Sequence, residues 1–330
     1  MTELPVTFQD VLAAANRIKG VVIRTGLTRS VELDRITGGR IWVKPECLQL
    51  SGSFKFRGAY NRLVQIDDAG RKNGVVAFSS GNHGQGVALA ANMLGMPATI
   101  VMPEDAPAIK VARTRSHGAE VVFFDRHSED REAIAAQISA ETGAIVVPSY
   151  DDVHIIAGQG TLGIEVAEDL IAMNEKLDAY IVPAGGGGLF AGNNLAFSGL
   201  MPDVARYSAE PADYDDHARS FAKGTRQSVA PGVPSSICDA ILTSSPGELT
   251  FAINSVYAKA GLKASDDDVR RAMTFAFDYL NLVVEPGGAI ALACVLNGSI
   301  DCRGKNVAVL LSGGNVDRDF MCDTLQRNPK

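Results

Sequence analysis

The chain has 330 residues, 46% of them hydrophobic, enough to bury a substantial core in two packed lobes. A net charge of -7 without a basic block argues against nucleic acid as a partner, and apolar stretches break within about ten residues, short of the roughly 20 that span a bilayer. The start, Met1-Thr-Glu-Leu-Pro5, lacks a secretion-signal pattern, and five irregularly spaced cysteines (Cys47, Cys238, Cys294, Cys302, Cys322) without a Cys-x-x-Cys pair predict reduced thiols in a cytoplasmic protein.

Ile41 to Lys44 reads as a strand ahead of the Lys55 segment. Val75 to Phe78, Ala98 to Met102, Ala119 to Phe124 and Ala144 to Val147 follow as short β-branched runs, with helical patterns such as Gly86 to Leu94 and Asp130 to Thr142 between them. After a break near Pro148 to Asp152 a second series runs through Ala179 to Val182 and Val204 to Ala209 and ends at Val307 to Leu311. Strands alternating with helices predict an α/β fold of open, twisted, mainly parallel sheets. Two series predict two of them: a large domain of residues 1–67 and 152–330, with the N-terminal strand on the later lobe, and a small mobile domain of residues 68–151. Asp213 to Arg226 reads as a polar loop.

Five segments carry candidate chemistry. In Ser51-Gly-Ser-Phe-Lys-Phe-Arg-Gly-Ala59, Lys55 sits between Phe54, Phe56 and Arg57, a setting in which burial and a neighbouring cation would hold an amine partly uncharged and able to bond an aldehyde; an exposed helix lysine is the plain alternative. Gly185, Gly186, Gly187 and Gly188 follow a strand and open a helix, so their N–H groups can converge on a phosphate, without the spacing of a dinucleotide or Gly-Lys-Ser/Thr loop. Ser312-Gly-Gly-Asn315 follows the predicted core strand Val307 to Leu311, where a hydroxyl can meet a pyridine nitrogen without protonating it, or simply cap. Ser79-Ser-Gly-Asn-His-Gly-Gln85 makes a strand-to-helix turn whose amides, with Ser80 and Asn82, can grip a carboxylate, while His83 alone reads as a packed turn histidine. Glu210-Pro-Ala-Asp-Tyr-Asp-Asp216 gathers carboxylates suited to Mg2+ or Ca2+, or forms a solvated acidic loop.

Together with Ala157-Gly-Gln-Gly-Thr161 and Val284-Glu-Pro-Gly-Gly288, these segments resemble the fold-type II pyridoxal-phosphate enzymes, tryptophan-synthase-β-like in fold, and within them the serine/threonine dehydratase and serine racemase family, from about Leu27 to Asn315. The resemblance implies that Lys55 bonds the cofactor pyridoxal 5'-phosphate, Phe54 packs on its ring, and Asn82 bonds its phenolic oxygen. It further implies that Gly185 to Gly188 hold the phosphate, Ser312 meets the ring nitrogen, and Glu285 lies near the ring. Ser80 would face the substrate Cα opposite Lys55; Ser79, Ser80, Gly81, Asn82 and His83 would hold the substrate carboxylate; Arg131 would swing in on closure. Glu210, the Tyr214 carbonyl and Asp216 would bind a divalent metal.

The activity implied is β-elimination of a β-hydroxy-α-amino acid such as threonine or serine, by a homodimer or larger assembly. Phe56 resembles 3-hydroxyaspartate dehydratases, whereas Ser53 points back to threonine and serine. The segment Ser236-Ile-Cys-Asp-Ala-Ile241 departs from ordinary threonine dehydratases, and Ser149-Tyr-Asp-Asp152 departs from racemases. Serine racemisation, a catalytically silent ligand-binding relative and a dinucleotide-dependent oxidoreductase are the competing readings, the last lacking its glycine spacing.

Overall fold

The computed structural model describes residues 4–79, 81–106, 108–125 and 127–327. Its strands are β1 (Arg40–Pro45), β2 (Val75–Phe78), β3 (Ala98–Pro103), β4 (Glu120–Phe124), β5 (Ile145–Val146), β6 (Ala179–Pro183), β7 (Ala205–Pro211), β8 (Ala258–Ala264) and β9 (Asn306–Leu311). They form a five-stranded sheet in the order β1-β9-β6-β7-β8 and a four-stranded sheet in the order β4-β3-β2-β5. Every ladder is parallel. The first strand pairs with the last, Arg40 opposite Asn306 through Pro45 opposite Leu311, so the N-terminal segment packs on the later series.

The central strands of the large sheet are apolar on both faces because helices cover both. All five residues of β6 are buried, as are Val307 to Leu311 of β9. On one face Ile181 and Val309 pack with Val269, Met273 and Ala276 of the helix Asp266–Leu280 and with Ile290 and Ala293 of the helix Pro286–Leu296. On the other, Tyr180 and Val182 pack with Leu162 and Val166 of the helix Val153–Ala172 and with Phe190 and Phe197 of the helix Gly188–Leu200.

The small sheet is built alike. Val75 and Ala77 pack against Val87 and Ala91 of the helix Asn82–Met93, and against Phe56, Ala59 and Leu63 of the helix Lys55–Leu63. Its other face holds Val76, Val101 and Ala135.

Two elements depart from the sequence reading. The stretch 213–226, read as a polar loop, contains the helix Asp216–Lys223, which buries Asp216, His217 and Ser220. Strand β8 was not anticipated because Ala-Lys-Ala-Gly-Leu-Lys-Ala has small and charged residues in place of a β-branched run; it survives as an edge strand paired only to β7.

Candidate active site

The helix carrying Lys55 is held by close backbone contact and by charge. A Cβ on Gly158 would lie 2.7 Å from the Gly58 Cα, so the helices Lys55–Leu63 and Val153–Ala172 cross where neither has a side chain. Gly160 meets Gly192 of the next helix in the same way, its would-be Cβ 2.5 Å from the Gly192 carbonyl, which accounts for the glycines of the Ala157 to Thr161 segment. Arg57 is fully buried, with Nε 2.7 Å from Glu46 Oε2 and Nη1 2.7 Å from Glu165 Oε1, and Lys44 also pairs with Glu165. The sequence reading had Arg57 helping to discharge Lys55. The structure gives it two carboxylates of its own, and it acts as an anchor for the helix.

Lys55 opens that helix. Its Nζ donates to the Ser149 carbonyl at 2.8 Å and lies 5.3 Å from the centroid of the Phe54 ring. Burial pushes the amine down to about 8, and the attraction of Glu285 offsets part of this. The loop before it is stitched to the end of β9: Phe54 N donates to the Ser312 carbonyl at 3.0 Å and Gly314 N to the Gly52 carbonyl at 2.9 Å. This stitching fixes Lys55 relative to Ser312, whose nearly buried hydroxyl lines the same cavity and has no hydrogen-bond partner among the described residues. Phe56, by contrast, points into the small-sheet core, with its ring 5.8 Å from Tyr60, and touches no part of the cavity.

The glycine loop lies between β6 and the helix Gly188–Leu200. Its carbonyls are tied back into the protein. Gly185 O accepts from His217 Nε2 at 2.7 Å, Gly186 O from Thr250 Oγ1 at 2.6 Å and Gly247 N at 3.1 Å, and Gly187 O from Asn254 Nδ2 at 3.2 Å. With the acceptors turned inward, the N–H groups of Gly185, Gly186 and Gly187 have no acceptor among the described residues. A side chain at Gly186 would strike the Tyr150 ring at 2.3 Å, and Gly187 adopts φ 93°, a left-handed conformation that favours glycine. The result is a concave set of free donors at a helix N-terminus, which suits a phosphate.

Ser79 and Gly81 lie where the chain passes from β2 into the helix Asn82–Met93, and Ser79 Oγ accepts from Gly81 N at 3.1 Å. Ser80 lies outside the described residues. Asn82 Nδ2 donates to Glu285 Oε1, and its Oδ1 accepts from Asn315 Nδ2 at 2.8 Å. Burial holds the Glu285 carboxyl up at about 7, against the pull of that Asn82 bond. His83 donates from Nε2 to the Val147 carbonyl at 2.9 Å, and burial together with Lys55 depresses it to about 3, so it is a neutral, packed histidine. Arg131 opens the helix Arg131–Thr142 and lies 5.4 Å over the Phe78 ring.

One cavity of about 860 Å3 brings these groups together: Phe54, Lys55, Ser79, Gly81, Asn82, His83, Arg131, Gly185 to Gly188, Glu285 and Ser312 all line it. At its rim Lys110, on the helix Ala108–Ser116, pairs with Asp239 at 2.7 Å, joining the small sheet's helices to the large lobe. Sequence reasoning missed Tyr150, His217, Thr250 and Asn254, which shape the glycine loop, and the Lys110–Asp239 pair. Each reaches its partner from a distant segment and leaves no local pattern.

The proposed metal ligands lie apart from this cavity. Glu210 ends β7, and its two oxygens accept from His217 N at 2.8 Å and Ala218 N at 2.9 Å. Asp216 is 2% exposed and its Oδ2 has no partner among the described residues. Burial raises the Asp216 carboxyl to about 7; burial and then the neighbouring Asp216 raise that of Glu210. Among the described residues no cluster of three or more His, Cys, Asp or Glu side chains forms a metal site. The set named from the sequence, two carboxylates and the Tyr214 carbonyl, is all oxygen, the donor chemistry that a hard divalent ion takes.

Known proteins resemble this chain in sequence and fold. The family model for pyridoxal-phosphate dependent enzymes matches residues 18–313. An L-threo-3-hydroxyaspartate ammonia-lyase from Pseudomonas sp. is 45% identical over 94% of this chain and 96% of its own length. An L-threonine ammonia-lyase from Thermotoga maritima is 40% identical over 94% of this chain and 76% of its own. The solved structure of maize serine racemase superposes with a TM-score of 0.90 at 33% identity, covering 98% of this chain and 97% of that one. No helix among the described residues is long and apolar enough to cross a membrane.

Proposed function

Because the chain belongs to the family of pyridoxal-phosphate dependent enzymes, we propose that it catalyses β-elimination of a β-hydroxy-α-amino acid, threonine or serine among them, to a 2-oxo acid and ammonia. The observation that carries this reading is the convergence of three sets of groups on one cavity: the buried Lys55 amine, whose one hydrogen bond goes to the Ser149 carbonyl, and the N–H groups of Gly185 to Gly187 and the Ser312 hydroxyl, which have no partner among the described residues. Pyridoxal phosphate fits them at its aldehyde, phosphate and ring nitrogen, with Phe54, Asn82 and Glu285 around the ring.

The bound cofactor supplies an electron sink for charge developing at the substrate Cα. This chain's residues supply the rest. The Lys55 amine, lowered by burial to about 8, is still basic enough to take the Cα proton and has a far larger neutral fraction near pH 7 than an ordinary lysine. Ser79, Gly81 and Asn82, which line the cavity at the start of a helix, would hold the substrate carboxylate, and Ser80 belongs to the same proposed set. A neutral hydroxyl at Ser312 would not protonate the ring nitrogen of a bound cofactor, which would favour loss of the β-hydroxyl in close step with proton removal. The Cα–H and Cβ–O bonds break, water leaves, and hydrolysis of the resulting enamine gives the 2-oxo acid and ammonia.

A second reading, 3-hydroxyaspartate as substrate, draws on Arg131, a cation in the cavity wall with no ion-pair partner among the described residues. The test is a panel of L-threonine, L-serine and L-threo-3-hydroxyaspartate given to the holoprotein, with 2-oxo acid and ammonia measured and residual amino acid resolved by chirality. Product from none of them would overturn the reading, and inversion without elimination would make the protein a racemase.

The proposal extends to a large domain of residues 1–67 and 152–330, a small domain of residues 68–151 that closes on substrate, a divalent ion between Glu210 and Asp216, and a cytoplasmic homodimer or larger assembly.

A further inference from the structure

We propose that Arg113 is a positioning residue that sets the orientation of the Asn82 amide through Asn315 when the helix Ala108–Ser116 closes over the cavity. The inference rests on the cofactor site proposed above and adds a contact that controls it. Arg113 Nη1 donates to Asn315 Oδ1 at 3.2 Å. Asn315 Nδ2 in turn donates to the Ser51 carbonyl at 2.8 Å and to Asn82 Oδ1 at 2.8 Å, and Asn82 Nδ2 donates to Glu285 Oε1.

A carboxamide has one accepting end and one donating end, so each link dictates the next. A guanidinium can only donate. It therefore holds Asn315 Oδ1 toward itself, which turns Asn315 Nδ2 to Asn82 and leaves the Asn82 amide group facing Glu285 and the cavity. The Ser51 carbonyl, which can only accept, holds the donating end of the Asn315 amide in the same sense, and the absence of a side chain at Gly52 leaves room for the amide there.

The relay crosses between the two lobes. Arg113 sits on the helix between β3 and β4 of the small sheet, whereas Asn315 follows β9 of the large one. Lys110, one turn earlier on the same helix, makes a second contact of that helix with the large lobe, its ion pair with Asp239 at 2.7 Å, and Asn82 itself reaches across to Asn315 and Glu285. In the parted state Asn82 loses the group that orients it, and the donor facing the cavity is assembled only when water is excluded.

The test uses the holoprotein with Arg113→Met, Arg113→Lys, Asn315→Asp and the Arg113→Met/Asn315→Asp pair. Asn315→Asp keeps the acceptor for Arg113 but loses the donor to Asn82. Both Arg113→Met and Asn315→Asp are expected to move the pH midpoint of the visible cofactor band in the same direction. Each should lower kcat about tenfold, with KM changed less than about threefold. Arg113→Lys should restore part of both, and the paired variant should be no worse than the worse single one. An Arg113→Met protein that loses melting temperature alone, with band and kcat intact, would overturn the relay, as would a paired variant equal to the product of the two singles. The band reports on the relay even if no β-hydroxy amino acid is eliminated, so failure of the proposed reaction is read separately.

Discussion

His217 donates from Nε2 to the Gly185 carbonyl at 2.7 Å, and its ring fills the space that a Cβ on Gly187 would need. Its backbone N–H is held by Glu210 on β7, so a chain of contacts runs from the large sheet through one histidine to the glycine loop. The loop's free donors exist because its carbonyls are engaged elsewhere. Replacing His217 with Phe keeps the ring and removes the donor, leaving a buried carbonyl unpaired. Affinity for pyridoxal phosphate should weaken by about tenfold, measured by titrating the apoprotein.

Arg57 predicts a loss of stability. Its guanidinium is fully buried between Glu46 and Glu165, and removing one partner of a buried pair leaves the others uncompensated. Arg57→Met should cost about 3–5 kcal/mol, a drop of roughly 4–7 °C in melting temperature for a chain this size. A variant melting within about a degree of the parent would show that the cluster contributes nothing.

Lys55 predicts a pH-dependent stability of the cofactor-free protein. Its amine lies at about 8 in the folded state against an ordinary 10.5. Between those values the unfolded chain holds a proton that the folded chain has released, so this group favours folding increasingly as pH rises through that window. Below it, both states are charged and the folded state bears the full cost of burial. Cofactor-free Lys55→Met should therefore melt above its parent near pH 7, by a margin that shrinks toward about pH 10. A margin that does not change with pH would remove burial as the cause.

Much of the fold was legible in the sequence because buried parallel strands need apolar β-branched runs, and Val75 to Phe78 and Val307 to Leu311 are such runs. Strand β8 was not, because an edge strand tolerates Lys259 and Lys263, both exposed. The helix Asp216–Lys223 hid in a polar segment because few of its residues are buried. At the site, the residues proposed to touch the cofactor and substrate come in short dense motifs around Lys55, Asn82, Gly185 and Ser312, which line one cavity. The residues that hold those motifs in place, such as Tyr150 against Gly186 or Ser149 beneath Lys55, are set by long-range packing that no local spacing records.

The carboxylates of Glu210 and Asp216 predict a structural effect of metal removal. A bound divalent ion would relieve two buried acids and steady the segment that carries His217. Chelation should lower both the melting temperature and the affinity for pyridoxal phosphate, and Mg2+ or Ca2+ should restore them, with Asp216→Asn insensitive to either treatment. If chelation changes neither quantity in the parent protein, the site binds no ion.

The most direct measurement is to reduce the purified holoprotein with borohydride and locate the pyridoxyl group by peptide mass spectrometry. Attachment at Lys55, with Lys55→Ala losing both the visible band and ammonia release, is the predicted result. A pyridoxyl group on another lysine, or full turnover by Lys55→Ala, would contradict the account.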